Sequence, residues 1–138
     1  MIKSPLFWLR ISLGIIYLWF GTLKFFHGQS PAEQLAKDTI DSLSFHILPV
    51  NVGYFILALW EVILGTCFLF GICNKAVMSL FFLHLAGTFT PLIILRAVSF
   101  HDFPYGFTLV GQYIMKNLVF LVAGWLLWIE SGKEKSTV

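Results

Sequence analysis

Charge is what this sequence has least of. Only 12% of its 138 residues are Asp, Glu, Lys or Arg, against about a quarter in an ordinary soluble domain. That is too little polar surface to cover a water-facing globule. Cysteine is nearly absent too. Cys67 and Cys73 are the only two, and no CxxC spacing is present for a thiol redox or zinc motif. Six residues apart on one helix, they point to opposite sides and cannot be bridged. They read as small apolar residues. There is no Gly-rich phosphate loop and no HExxH zinc motif. The net charge of +2 is small and scattered, which gives nucleic acid nothing to bind.

Apolar residues are abundant. They make up 58% of the chain, and the mean hydropathy is +0.84. A bilayer core takes roughly 20 apolar residues in helix. Four stretches reach that length, at 6–26, 52–72, 76–97 and 112–129. The first is too long for a secretory signal peptide and lacks a small-residue cleavage site after it. The expectation is one integral membrane domain over 1–138, an all-α membrane protein folded as an antiparallel four-transmembrane-helix bundle. Lys3, Arg10, Lys75, Lys133 and Lys135 then fall on one side. Glu33, Lys37, Asp38, Asp41 and Asp102 fall on the other. The positive-inside rule puts both termini in the cytoplasm, with Lys24, Arg96 and Lys116 at the outer span ends opposing that count.

The first outer loop contains Ser30, Pro31, Ala32 and Glu33, a capping box with proline at the first helical position. Ala32, Leu35, Ala36, Ile40, Leu43 and Ile47 share one face of the helix it would open. This predicts an outer amphipathic helix between spans one and two, lying on the surface or lidding the bundle, stopped by Pro49. The second outer loop carries Phe100, Phe103, Tyr105 and Phe107. They read as an aromatic interface belt or as a loop folded over a cavity mouth.

The polar residues within the spans carry the chemistry, because an ionisable group at bilayer depth costs at least ~2.5–3.5 kcal/mol and needs a partner. Arg10, Gly14, Tyr17, Gly21 and Lys24 form one stripe on span one. Tyr54, Ala58, Glu61, Gly65 and Phe68 form one on span two. On span three His84, Gly87, Thr88 and Pro91 share a face, and Pro91 should kink the helix. On span four Gln112, Lys116 and Ala123 share a face, with Asn117 beside it. Facing inward, these stripes put Glu61 near mid-membrane within pairing distance of Lys116 or Lys24. The candidate ligand-binding residues are therefore Arg10, Tyr17, Lys24, Tyr54, Glu61, His84 and Lys116. Arg10 has a second reading as an inner-end anchor, and a Glu–Lys pair can lock helices without any chemistry.

Only His84 is deep, so a bis-histidine haem is excluded. His27, His46 and His101 lie on the outer side with Asp102; imidazole suits zinc or copper, but these residues are too scattered to carry a metal site. A cavity lined by aromatics, glycines, a carboxylate, a histidine and lysines suits a quinone headgroup. It equally suits a small anion.

Several short motifs recur in order: Arg10 to Gly14 leading to Trp19, Phe20, Gly21, Thr22, Leu23, Lys24 and Phe25, then Glu61, Val62, Ile63, Leu64 and Gly65. This pattern resembles the DoxX-like superfamily. Thr88, Phe89, Thr90, Pro91 and Leu92, then Phe103, Pro104 and Tyr105, then Lys116, Asn117 and Leu118 make it most similar to the inner-membrane branch linked to reactive-chlorine resistance. Asn117 stands where that branch often carries Asp. The resemblance covers nearly the whole chain and implies a bacterial inner-membrane protein. Some DoxX-like members are subunits of quinone-linked sulfur-oxidising enzymes or associate with redox proteins. It therefore implies a redox- or oxidative-stress-linked accessory with a quinone-like ligand, the chain having no catalytic motif of its own. The alternative is a non-enzymatic small-anion transporter or structural membrane subunit. The possible partners are the lipid bilayer, a redox protein and a second copy of the chain.

Overall fold

The computed structural model describes residues 4–136, with side chains described through 132. Lys3 lies outside the described residues, as do the side chains of Lys133 and Lys135, so their part in the charge count is not addressed. The chain is mostly helical, and four of its helical segments are long and apolar enough to cross a membrane: Pro5–Leu23, Val50–Phe70, Lys75–Ile94 and Leu109–Gly132. Their outer faces carry Trp8, Trp19, Phe55, Ile63, Leu83, Trp125 and many other exposed apolar side chains. That much contiguous apolar surface belongs in lipid.

Helix α1 (Pro5–Leu23) opens with Pro5 in its first turn and Ser4 Oγ accepting from the Phe7 N–H. After a turn, α2 (Glu33–Leu43) follows. The capping box does not form. Ser30 closes a turn through its carbonyl, which accepts from the Glu33 N–H. The Glu33 carboxylate accepts instead from the Gly28 N–H and Lys37 Nζ. The helix thus begins two residues later than Pro31. Phe45 and His46, at φ 52° and 61°, break the helical phase, which leaves Ile47 exposed.

Helix α3 (Val50–Phe70) packs along α1, and glycines set the distance. A Cβ on Gly65 would collide with the backbone nitrogen of Leu18. One on Gly21 would sit 2.9 Å from Glu61 Cβ. Small residues at such a crossing let two backbones approach. At the end of α3, Gly71 takes the left-handed conformation, φ 82°. The Ile72 N–H then donates to the Cys67 carbonyl and the Gly71 N–H to Phe68, a Schellman stop.

Helix α4 (Lys75–Phe89) starts at Asn74, whose side chain caps the Val77 N–H at 2.9 Å. It breaks at Thr90, and α5 (Pro91–Ile94) continues the span. Proline has no N–H to give the carbonyl four residues back. That carbonyl belongs to Gly87, and the Thr90 hydroxyl donates to it at 2.6 Å. The carbonyl that the proline leaves without a helical donor is thus satisfied at the interruption. A turn, α6 (Arg96–Ser99), leads to a small hairpin of β1 (Phe100–Asp102) and β2 (Gly106–Phe107). The rings of Phe103 and Phe107 lie 5.2 and 4.8 Å from Phe100.

The last span is composite: α7 (Leu109–Met115), then a turn at residues 116–117, then α8 (Leu118–Ser136). This corrects the continuous stripe expected on span four. The turn resets the helical phase, so Gln112 and Lys116 are exposed while Ala123 is buried. Leu13, Tyr17, Leu64, Phe68, Met78, Phe81, Leu85, Ala123 and Leu127 form the core where α1, α3, α4 and α8 meet.

Candidate functional site

Three spans converge on one chain of polar contacts. Lys24 follows the last turn of α1, and its ammonium donates to Glu61 Oε2 on α3 at 2.6 Å. The other carboxylate oxygen, Oε1, lies 3.0 Å from His84 Nε2 on α4. On the far side of that ring, Nδ1 lies 3.1 Å from the Tyr17 hydroxyl on α1. The side chains of Lys24, Glu61 and His84 are 6%, 10% and 10% exposed. Charges so far from water persist only when paired. An ionised carboxylate can only accept, so His84 Nε2 carries a proton. In the neutral ring Nδ1 is then the acceptor and Tyr17 the donor. Each member fixes the orientation of the next.

The fold explains the meeting. The absence of a side chain on Gly21 lets Glu61 Cβ approach α1, one turn before Lys24. Beyond Tyr17 the polar chain ends on the rings of Phe68, Phe81 and Phe120, 5.4–6.4 Å away.

At the other end it borders a cavity of about 270 Å³. Leu35, Ala36, Ile40 and Leu43 of α2, with Ala32 just before it, form its roof, so this helix lids the site. Leu57 and Trp60 of α3 line one wall, and Leu83, Gly87, Thr88 and Pro91 another. Lys24, Glu61 and His84 supply its polar end. The exposed side chains of Leu43 and Leu83 belong to its rim, which makes the mouth apolar. Trp60 had no place in the sequence reading. It lines the cavity, its ring lies 6.0 Å from that of His84, and its indole nitrogen is buried without a hydrogen-bond partner. One signal could have found it: tryptophan collects at membrane interfaces, and this one sits mid-span beside Glu61.

The seven candidate residues thus separate. Tyr17, Lys24, Glu61 and His84 come together. The other three lie apart from the cavity. Arg10 donates to the Phe68 and Leu69 carbonyls at 2.6 and 3.3 Å, completing the cap on α3. Tyr54 lies beneath α2, with Lys37 Nζ 5.2 Å from its ring centroid. Lys116 is exposed and covers the Tyr113 ring at 5.1 Å, so Glu61 pairs with Lys24 alone of the two lysines considered. In the second outer loop Phe103 and Phe107 pack on Phe100 while Tyr105 is exposed, and none of the four lines the cavity. Outside the spans, Glu33 is held below the usual carboxylate range by the hydrogen bond from Lys37, then by that from the Gly28 N–H. No protein-family model, curated protein or solved structure matches the chain.

Proposed function

We propose that this chain is a DoxX-like, multi-pass protein of a bacterial inner membrane that holds a quinone-like molecule in the cavity beneath α2 and serves a redox partner as an accessory. The observation that carries the reading is the pairing of Lys24 with Glu61 at 2.6 Å at the end of an apolar cavity. The pair is neutral as a whole, so the pocket offers hydrogen bonds without net charge. That combination suits an uncharged ring with polar atoms at its edge. It disfavours the small-anion alternative, since the lysine charge is already matched. The volume, near the lower end of the ~300–1,000 Å³ of small-molecule pockets, suits a single substituted ring. The apolar rim suits a ligand arriving from the bilayer.

The chain's own part is binding and proton handling. Lys24 keeps a proton to donate to a carbonyl oxygen. The Glu61–His84–Tyr17 relay fixes the histidine tautomer and can accept or return a proton from the ligand side. A quinone bound there would supply the redox chemistry, with electrons exchanged with the partner.

The spans form an antiparallel bundle with both termini cytoplasmic in this reading. Gly14 opposes Gly65 and Leu69, whereas Gly21 opposes Glu61 and Val62, the reversed order expected of antiparallel neighbours. Lys75 and Arg10 lie at the end assigned to the cytoplasm.

A thermal unfolding series with added quinone tests the proposal. A ligand at a hundred times its Kd stabilises the folded state by about 2.7 kcal/mol, so the unfolding temperature should rise with quinone in the wild type. It should stay flat in Glu61→Gln. A rise with chloride or phosphate, and none with quinone, would favour the anion reading.

A further inference from the structure

Burying an N–H in a lipid-embedded helix without an acceptor is costly, and almost every such group finds a partner. Trp60 Nε1 is an exception, buried and unbonded. Its indole belongs to the wall of the cavity and meets the His84 ring edge-to-face at 6.0 Å. It stands one residue before Glu61, beside the polar end of the site. The tyrosine hydroxyl nearest that end, Tyr17, is already committed to His84 at 3.1 Å. Among the described residues lining the cavity, Trp60 therefore carries a directional donor that the protein itself leaves unused.

We propose that Trp60 is a ligand-binding residue whose indole N–H donates a hydrogen bond to a carbonyl oxygen of the bound molecule. This deepens the quinone reading and rests on it. Lys24 Nζ, bonded to Glu61 Oε2 at 2.6 Å and to the Phe20 carbonyl at 3.4 Å, has a third proton for a second oxygen. A ring with two acceptor oxygens satisfies both donors. An apolar lipid tail satisfies neither, so the pair selects a carbonyl-bearing ring from the hydrocarbon around it. An indole is also rigid, so the donor loses little freedom on binding.

The test uses the full chain in detergent and a decyl-tailed para-benzoquinone as the probe. Its affinity is read by fluorescence quenching and its carbonyl stretch by infrared difference spectroscopy, in the wild type and in Trp60→Phe. The phenyl ring keeps an apolar aromatic wall and removes the donor, but it is smaller than the indole, so the carbonyl band separates the lost hydrogen bond from lost packing. Loss of one hydrogen bond to a buried acceptor predicts affinity weaker by about tenfold. The infrared carbonyl band should move to higher frequency. Lost packing alone would leave that band in place. A second measurement needs no variant: adding quinone to nitrogen-labelled wild type should move one of the five tryptophan indole N–H signals downfield.

Wild-type binding with an unchanged carbonyl band in Trp60→Phe, or with no indole signal displaced, overturns the role of Trp60 and leaves the quinone site standing. No binding to the wild type overturns both.

Discussion

At the scale of single residues, the arrangement turns on how a carboxylate survives in a nearly uncharged chain. Glu61 does so by accepting from Lys24 and His84 together. Breaking a buried pair strands the remaining charge and typically costs about 3–5 kcal/mol, whereas replacing both partners with apolar groups costs far less. Lys24→Met should therefore lower the unfolding temperature strongly. Lys24→Met combined with Glu61→Leu should recover much of the loss, as measured by thermal unfolding in detergent. If the double variant is as unstable as the sum of the singles, the pair is not the closed unit described. The sequence makes the need for a partner legible, since mid-span acids are expensive. It does not choose the lysine. Lys24 and Lys116 both sit towards the outer ends of their spans. The choice falls to Lys24 because Gly21 brings α1 against α3 at the level of Glu61, while the turn before α8 leaves Lys116 exposed.

Among the elements, the stripes on α1, α3 and α4 were readable because a continuous helix keeps one period. The stripe on the fourth span was not, because a two-residue turn at 116–117 changes the phase and no proline announces it. Pro91 did announce the break in the third span. The close approach of α1 and α3 has a direct consequence. In Gly65→Ala the new methyl would meet the backbone of Leu18, which cannot swing aside as a side chain can. Overpacking of this kind costs roughly 1–3 kcal/mol. Gly132→Ala has nothing within 4 Å and should be neutral or mildly stabilising. Equal melting of the two variants would contradict the tight crossing.

Helix α2 supplies an element-scale pH dependence. Glu33 ties it to the preceding turn through Gly28 and to Lys37, and its folded pKa lies below its ordinary value. A carboxylate depressed in this way contributes stability in full above its unfolded pKa of about 4.3. The contribution fades as pH falls through the lower folded value. A spin label on Gln34→Cys, at an exposed position of α2, should therefore gain mobility in acid. In a Glu33→Gln background the label should start mobile and lose most of that response. Identical acid profiles in the two backgrounds would contradict the anchoring role of Glu33.

On the scale of the whole molecule, four apolar segments surround one neutral polar chain that borders a cavity at one end and stops on aromatic rings at the other. The architecture was legible because hydropathy counts spans directly. The cavity was only half legible. The apolar face of α2 could be read from its spacing, but that it roofs this particular pocket depends on where the chain turns after α1. The most direct measurement is mass spectrometry of the lipids extracted from the purified protein. The wild type should carry a quinone in near-stoichiometric amount, and Glu61→Gln should retain little of it. Phospholipid alone in both extracts, or the same quinone content in both, would contradict the account.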